Sequence, residues 1–526
     1  MAETFDVVVV GGGCNGLACA SYLAKSGLKV AVLELYDKMG GGAITEELTL
    51  PGFKHNTHAN FMTDLYEVVD ELGLQKYGVD VIESGIAFSA VYTDDTCMHV
   101  YTDPERMYEH IAKFSKHDAQ AMRDFVEPMK MTAPMWVAGR LGRSSAPPSA
   151  MSQALEGSIE GRDFLQMTLM KPRDLINNLF DDPKFKGLLF TWINQAEVSD
   201  DQAGFGMFVI MYIALTFAGA KRWGIMRGGT GKFSDAMVQL IRDNGGLVKT
   251  GTEVTKIKVD NGVAKSVVTA DGAEYIAKKA VVSGVNHQIT LLDLVGEDKI
   301  SPRLANKIKH WRWSEMILFT PHLALSEPII WKASDRDPDI QRSWGIGVLP
   351  DEPDFFWTRQ FADIRQGVPP RDIGGLGVYP TAIDPSQAPP GKGTMLFWQF
   401  VPYNLRDGGP LAWDEVKDAY TDQIIDFHAK YTKNDFKKSV VGRYILTPLD
   451  IERKNPSMKQ GSFMHGALEQ DQSGVWRPFH DVPNGRSPIE NLYLCGDSGG
   501  CNGIAGRVAA GWCLEDLKMK VWFEER

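Results

Sequence analysis

The sequence predicts an α/β fold in which a parallel sheet, extended by a β-meander, is interrupted by a mixed α+β domain. Three observations predict it. The chain opens as strand, glycine turn, helix and strand in "FDVVVVGGGCNGLACASYLAKSGLKVAVLEL". Near its end "NLYLCGDSGGCNGIAGRVAAG" runs strand, turn and helix again, and repeats almost the same glycine string. Between them, turns at "DNG" (260–262) and "DG" (271–272) separate β-branched runs, the signature of a meander. A chain of 526 residues exceeds what one hydrophobic core accommodates, so two interleaved domains are expected.

Each element follows from its residues. Val7–Val10 is an unbroken apolar run, suited to a strand buried on both faces of a parallel sheet. Gly11, Gly13 and Gly16 give the GxGxxG spacing. The first permits a tight turn, the second lets backbone approach a pyrophosphate, and the third lets the helix pack on the strand. "KVAVLEL" is the second strand, and Glu34 lies where a ribose-hydroxyl partner belongs. An acid there repels a 2′-phosphate. The site is that of an adenine dinucleotide. A second glycine run, Gly40–Gly42, follows closely, which a nicotinamide domain does not need and the longer FAD molecule does.

The segment 106–224 starts helical and carries Met122, Met129, Met131, Met135, Met151, Met167 and Met170, with Trp136 and Phe164 among them. Methionines there are expected to fill a core, the alternative being a pocket for an apolar ligand. Residues 203–220 hold no charge, but three glycines interrupt them. A buried helix is expected, with contact to a membrane surface as the alternative. "MRGGTGKFSDAMVQLIRDNGG" (226–246) is a glycine turn and an amphipathic helix. "WRWSEMILFTPHLAL" and "GTMLFWQFVPYN" supply strands for a second sheet in 301–484. The expected division is a discontinuous, Rossmann-like FAD-binding domain of residues 1–105, 225–300 and 485–526, with 106–224 and 301–484 as the substrate-binding domain.

Composition narrows the function. The net charge is −11 and no Lys/Arg cluster stands out, which excludes nucleic acid as a partner. Six cysteines form no CxxC pair, so neither a disulfide framework nor a zinc or other metal site is expected, and reduced thiols fit a cytoplasmic setting.

With "GGGAITEE", "PGFKHNTHAN", "MRGGTGKF", "GTEV" and "GSFMHGALEQDQ…WRP" added to the two glycine tracts, the chain resembles the phytoene desaturase-related branch of the flavin amine oxidase superfamily. The likeness is closest to its pyridine nucleotide-disulfide oxidoreductase domain-containing subgroup. The resemblance implies that Gly11, Gly13 and Gly16 hold the FAD pyrophosphate, Glu34 the adenosine ribose, and the Val254 backbone the adenine. It implies that Asp497 bonds a ribityl or pyrophosphate oxygen and that Gly503 and Ile504 face the flavin pyrimidine. Cys14, Asn15, Leu35, Gly41, Gly42, Ala43, Gly496 and Asn502 complete the expected cofactor contacts. Two departures stand out: Gly42 replaces an arginine common in relatives, leaving backbone or another side chain such as Lys38 to offset phosphate charge, and "DSGGCN" replaces a stretch with histidine and proline.

The chemistry expected is hydride transfer to flavin N5 from a C–H held about 3–3.5 Å away, in an FAD-dependent dehydrogenase or desaturase acting on a mostly apolar small molecule. His58 and His465 are candidates for proton handling or carbonyl polarisation, and Arg477 for anchoring an anion or carbonyl. The electron acceptor is O2 or a quinone. Alternatives are amine oxidation, a non-redox isomerase, and an FAD-retaining binding protein. Amine oxidation calls for flanking aromatics, for which Trp476 and Phe479 are candidates, and for a lysine near the flavin, which the sequence does not place.

Overall fold

Four consecutive valines explain the centre of the molecule. In the computed structural model, which describes residues 3–61, 66–131, 141–143, 148–217, 222–481, 484–496 and 502–524, the strand Glu3–Val10 is the middle of a seven-stranded sheet. Val7 and Val9 enter the core beneath three helices, Cys14–Lys25, Gly231–Asp243 and Ile504–Asp516. Val8 and Val10 point the other way, into a core with Ile257, Leu291 and Phe479. Side chains alternate faces along a strand, so a continuous valine run serves two cores at once.

Five strands of this sheet are parallel: Leu492–Leu494, Glu274–Ser283, Glu3–Val10, Val30–Leu33 and Leu247–Lys249, in that spatial order. Val254–Asp260 and Val263–Thr269 add the antiparallel meander against the first half of Glu274–Ser283. The turn between them has Asn261 at φ +47° and Gly262 at φ +79°, the left-handed pair a two-residue hairpin requires.

A second seven-stranded sheet runs Val440–Leu446, Ile317–Leu325, Gly393–Val401, Gly375–Val378, Gly345–Val348, Ile86–Val91 and Cys97–Tyr101. Its last two strands shift one expected boundary. The expected nucleotide segment ending at 105 takes in residues 86–101, yet Ile346 pairs with Ser89 and Val348 with Val91 in this other sheet. The hairpin's partner lies some 250 residues away, beyond the reach of local pattern.

The helical insertion packs on that sheet. Met122 and Met129 are buried with Phe190 and Trp192, and Met167, Met170 and Phe164 lie against them as core fillers. Met135 and Trp136 lie outside the described residues. The apolar stretch forms the helix Gly206–Phe217, whose Val209, Ile210 and Ile213 enter the same core. No described helix is long and apolar enough to cross a membrane.

The terminal helix is fastened by a buried ion pair. Arg507 donates from Nε to Glu71 Oε2 at 2.8 Å and from Nη2 to Glu71 Oε1 at 3.0 Å, while Tyr22 Oη donates to the same carboxylate at 2.5 Å. Arg507 also reaches the carbonyls of Leu141 and Phe523. The first helix, the short helix Tyr66–Leu72 and the terminal helix thus share one charged knot. Glu71→Ala leaves the guanidinium buried without its counter-charge, and a loss of about 3–5 kcal/mol is expected, measured as a lowered urea midpoint.

Candidate active site

The first glycine tract closes on the second glycine run by backbone alone. Gly40 N donates to Gly12 O at 2.8 Å, and a Cβ on Gly41 would meet Gly13 Cα at 3.0 Å. Gly11 sits at φ +89°, which lets the strand turn sharply into the first helix. A Cβ on Gly16 would strike Gly11 O at 2.2 Å, so Gly16 is there for packing and does not line the cavity described below. The motif "RGGTGKF" docks on the hairpin formed by Thr45–Glu46 and His55–Asn56: Thr230 N donates to Asn56 Oδ1 and Gly231 N to Thr45 Oγ1.

Glu34 lies at the end of the second strand with its carboxylate turned back on the turn. It accepts from Gly12 N at 2.6 Å and from Tyr36 N at 2.9 Å. Burial raises its carboxyl above the usual range, and these two N–H groups oppose the rise.

The two glycine strings meet directly. Asn15, inside the first, accepts from Gly503 N, inside the second, at 3.0 Å. The asparagine at the matching place in the second string, Asn502, closes a local turn just before the terminal helix by accepting from Ile504 N at 3.1 Å. Gly503 is at φ +78°, the conformation that starts the terminal helix. The two helix starts, expected to serve pyrophosphate and pyrimidine separately, are therefore neighbours.

A cavity of about 470 Å3 runs along these tracts. Gly11, Gly13, Cys14, Asn15, Glu34, Leu35, Gly41, Gly42, Val254 and Gly496 line it, as do His58 and His465. Ala43 lies behind the wall, its carbonyl accepting from Ser234 Oγ at 2.9 Å. Asn502, Gly503 and Ile504 reach the site through Asn15 and do not line the cavity. Asp497 lies outside the described residues.

The wall beyond the glycines combines His58, His465, Phe463 and the run Lys454–Met458. His465 Nδ1 lies 3.0 Å from the Ser457 carbonyl. A carbonyl only accepts, so Nδ1 carries the proton and Nε2 is the acceptor nitrogen. Burial pushes His58 down to about 4, with the nearby Lys454 charge acting in the same direction. His55 is also pushed down to about 4 by burial and bonds Thr49 Oγ1 at 2.8 Å. Glu197, buried at left-handed φ +56°, accepts from Ser462 Oγ and Phe463 N, and so holds the turn that carries Phe463 and His465. Burial pushes its carboxyl up to about 8.

Several expected residues sit elsewhere. Arg477 is buried and does not line the cavity; the carbonyls it anchors are the chain's own, those of Met464 and Gln472. Trp476 is 40% exposed, and Phe479 lies in the core on the far face of the nucleotide sheet. Lys38 is paired to Glu46 at 2.6 Å, and Glu46 also takes Lys454. Lys454 also lines the cavity. Its partner Glu46 is 408 positions away.

The flavin-containing amine oxidoreductase family matches residues 16–504 of this sequence. The chain belongs to that family. It is 29% identical to a limonene dehydrogenase subunit of Castellaniella defragrans, over 99% of this chain and 96% of that protein. It is 28% identical to the pyridine nucleotide-disulfide oxidoreductase domain-containing protein 2 of Rattus norvegicus, over 98% of this chain and 94% of that one. A solved putrescine oxidase variant shares the fold, with a TM-score of 0.63 at 15% identity, covering 98% of this chain and 100% of that one.

This family member is an FAD-dependent oxidoreductase acting on a small molecule. Its residues fit FAD. A Cβ on Gly13 would meet nothing nearer than Gly41 Cα at 4.0 Å, so the missing side chain leaves room for a ligand at a helix start. Glu34 keeps acceptor lone pairs beside that start for ribose hydroxyls.

Two outcomes follow for this oxidoreductase. A chain ending at residue 489 lacks the strand Leu492–Leu494 and the terminal helix. It is expected to purify without flavin absorbance, although its first glycine tract is whole. The second concerns pH. His55 and His58 titrate near 4 when folded and near 6.5 when not, so the unfolded chain binds more protons between those values. Stability is fully present above pH 6.5 and falls as pH drops toward 4, by up to about 3 kcal/mol per histidine. Denaturant midpoints across that range check the slope, and His55→Gln is expected to flatten it.

Proposed function

We propose that this chain is an FAD-dependent dehydrogenase whose substrate is an uncharged, largely apolar molecule of terpenoid kind. The observation that carries the reading is the wall beyond the glycines. Phe463 leads into an aromatic group in which Trp398 lies 6.3 Å from Phe463, and Phe61 lies 5.2 Å from both Trp344 and Trp398. The cavity's described carboxylates, Glu34, Glu253 and Asp293, lie on other elements, and Glu46 behind Lys454 does not line it and is already shared between Lys38 and Lys454. A protonated amine meets there a lysine and a neutral histidine, and the Glu46 charge nearby is already engaged by two lysines. The limonene dehydrogenase relative, alike over nearly its full length, supports the same substrate class.

Bound FAD supplies the hydride acceptor. The chain's part is to hold an apolar skeleton against Phe463, which the buried aromatic group backs, exclude water, and move a proton at His465 Nε2. Ser457 fixes the tautomer that makes Nε2 an acceptor, and Glu197 fixes the turn. His58, neutral at pH 7, is a polar contact for a substrate oxygen. A quinone is the electron acceptor in this reading.

The test is anaerobic absorbance of the FAD-loaded protein against limonene, an alicyclic ketone and benzylamine. Bleaching by limonene or the ketone, with colour restored by a quinone, is expected. Bleaching by benzylamine with peroxide release in air would overturn the reading. His465→Ala is expected to slow bleaching by about 10²–10⁴-fold while the flavin stays bound.

A further inference from the structure

Outside the FAD cavity, the edge of the second sheet carries a cluster that the oxidoreductase chemistry does not use. Cys97 and His99 are two apart on the strand Cys97–Tyr101 and therefore share a face. They are 5% and 0% exposed. Opposite them stands Asp337, at the start of the short turn Pro338–Arg342. Cys97 Sγ lies 3.6 Å from His99 Nε2, and Asp337 Oδ2 lies 3.6 Å from the same nitrogen. The three donor atoms all fall within 4.8 Å of one another.

We infer that Cys97, His99 and Asp337 form a binding site for one zinc-like divalent cation, which staples the edge strand to the 337–342 turn. The spacing supports it. With Zn–S of about 2.3 Å, Zn–N of about 2.0–2.1 Å and Zn–O of about 2.0–2.2 Å, neighbouring tetrahedral ligand atoms lie about 3.3–3.6 Å apart. The 3.6 Å between the imidazole nitrogen and the carboxylate is too long for a good hydrogen bond and close to that ligand separation.

The surrounding groups aim each donor. Ser89 Oγ sits 2.7 Å from His99 Nδ1, the outer partner that a ligating histidine ordinarily has, and its hydroxyl is backed by Ser343. Asp337 Oδ1 accepts from Asp339 N, which leaves Oδ2 turned toward His99. His110 is not a fourth ligand, because its Nε2 accepts from His99 N at 3.0 Å. Asp337 is 24% exposed at its side chain, giving a cation a path from solvent and room for a water in the fourth position. A borderline cation suits a thiolate, an imidazole and a carboxylate together. Binding replaces the Cys97 thiol proton, which leaves to solvent. The expectation that no zinc site exists rests on CxxC spacing, whereas this set is C-x-H on a strand with a distant acid.

The test uses the full-length, FAD-loaded protein, stripped with EDTA, desalted, and supplied with zinc or cobalt chloride. About one zinc per chain is expected to survive gel filtration, with a higher thermal midpoint. Cobalt is expected to give thiolate-to-metal charge-transfer absorption, read against the metal-free flavoprotein. Cys97→Ser should abolish that band, and Asp337→Asn should weaken retention by about 10–100-fold with flavin content unchanged. His117→Ala, at the exposed His117–Asp118–Asp181 grouping, should leave retention as it was. Zinc lost on gel filtration, or full retention in both variants, overturns the site. If Cys97→Ser fails to fold, a wild-type cobalt spectrum without the band overturns it alone.

Discussion

The structure depends on two helices starting in the same place. A Cβ on Gly506 would meet Asn15 O at 2.0 Å, and one on Gly16 would meet Gly11 O at 2.2 Å. Backbones at such distances tolerate no side chain, which is why both segments are written in glycine. The hydrogen bond from Gly503 N to Asn15 spans 488 positions and brings the ends of the chain together. The strand Leu492–Leu494 then lies beside Glu274–Ser283, and Arg507 comes within reach of Glu71. The repeated glycine string is one requirement met from both sides of a single contact.

Much of the nucleotide half is legible because its signals are local. Valine alternation, the GxGxxG spacing and the two hairpin turns each lie within a few residues, and the sheet they imply is the one observed. The hairpin at 86–101 misleads for the opposite reason. Its strands look like any buried pair, and only Gly345–Val348, far along the chain, decides which sheet they join. Lys454 is hidden likewise: nothing near "IERKNPSM" announces that its charge meets Glu46. Arg477 shows the converse error. A conspicuous arginine between a tryptophan and a proline suggests a ligand anchor, but a buried guanidinium first satisfies its own donors, and backbone carbonyls are closest.

The two halves of the cavity are held differently. Around the glycine tracts the fastenings have a backbone N–H as donor, as in Gly40 to Gly12, Gly12 to Glu34 and Gly503 to Asn15. Beyond them the wall is held by side chains: Glu197 on the 462–463 turn, the His465 ring on the Ser457 carbonyl, Glu46 between Lys38 and Lys454. Backbone contacts tie the first region to a cofactor that does not vary. A wall assembled from side chains can change its shape by substitution without disturbing the sheet beneath, and this is where relatives on one fold can diverge in what they accept.

The position of the strand Leu492–Leu494 also sets an order of events. It is the last of the described strands, yet its partner Glu274–Ser283 lies some 210 residues earlier and the strand beside that one is the first of them. Domains generally fold as units during synthesis, beginning at the N-terminus. Here the first sheet cannot be completed until the strand Leu492–Leu494 has left the ribosome. The early valine strand and its glycine turn must wait, exposed or chaperoned, through the making of the inserted domain.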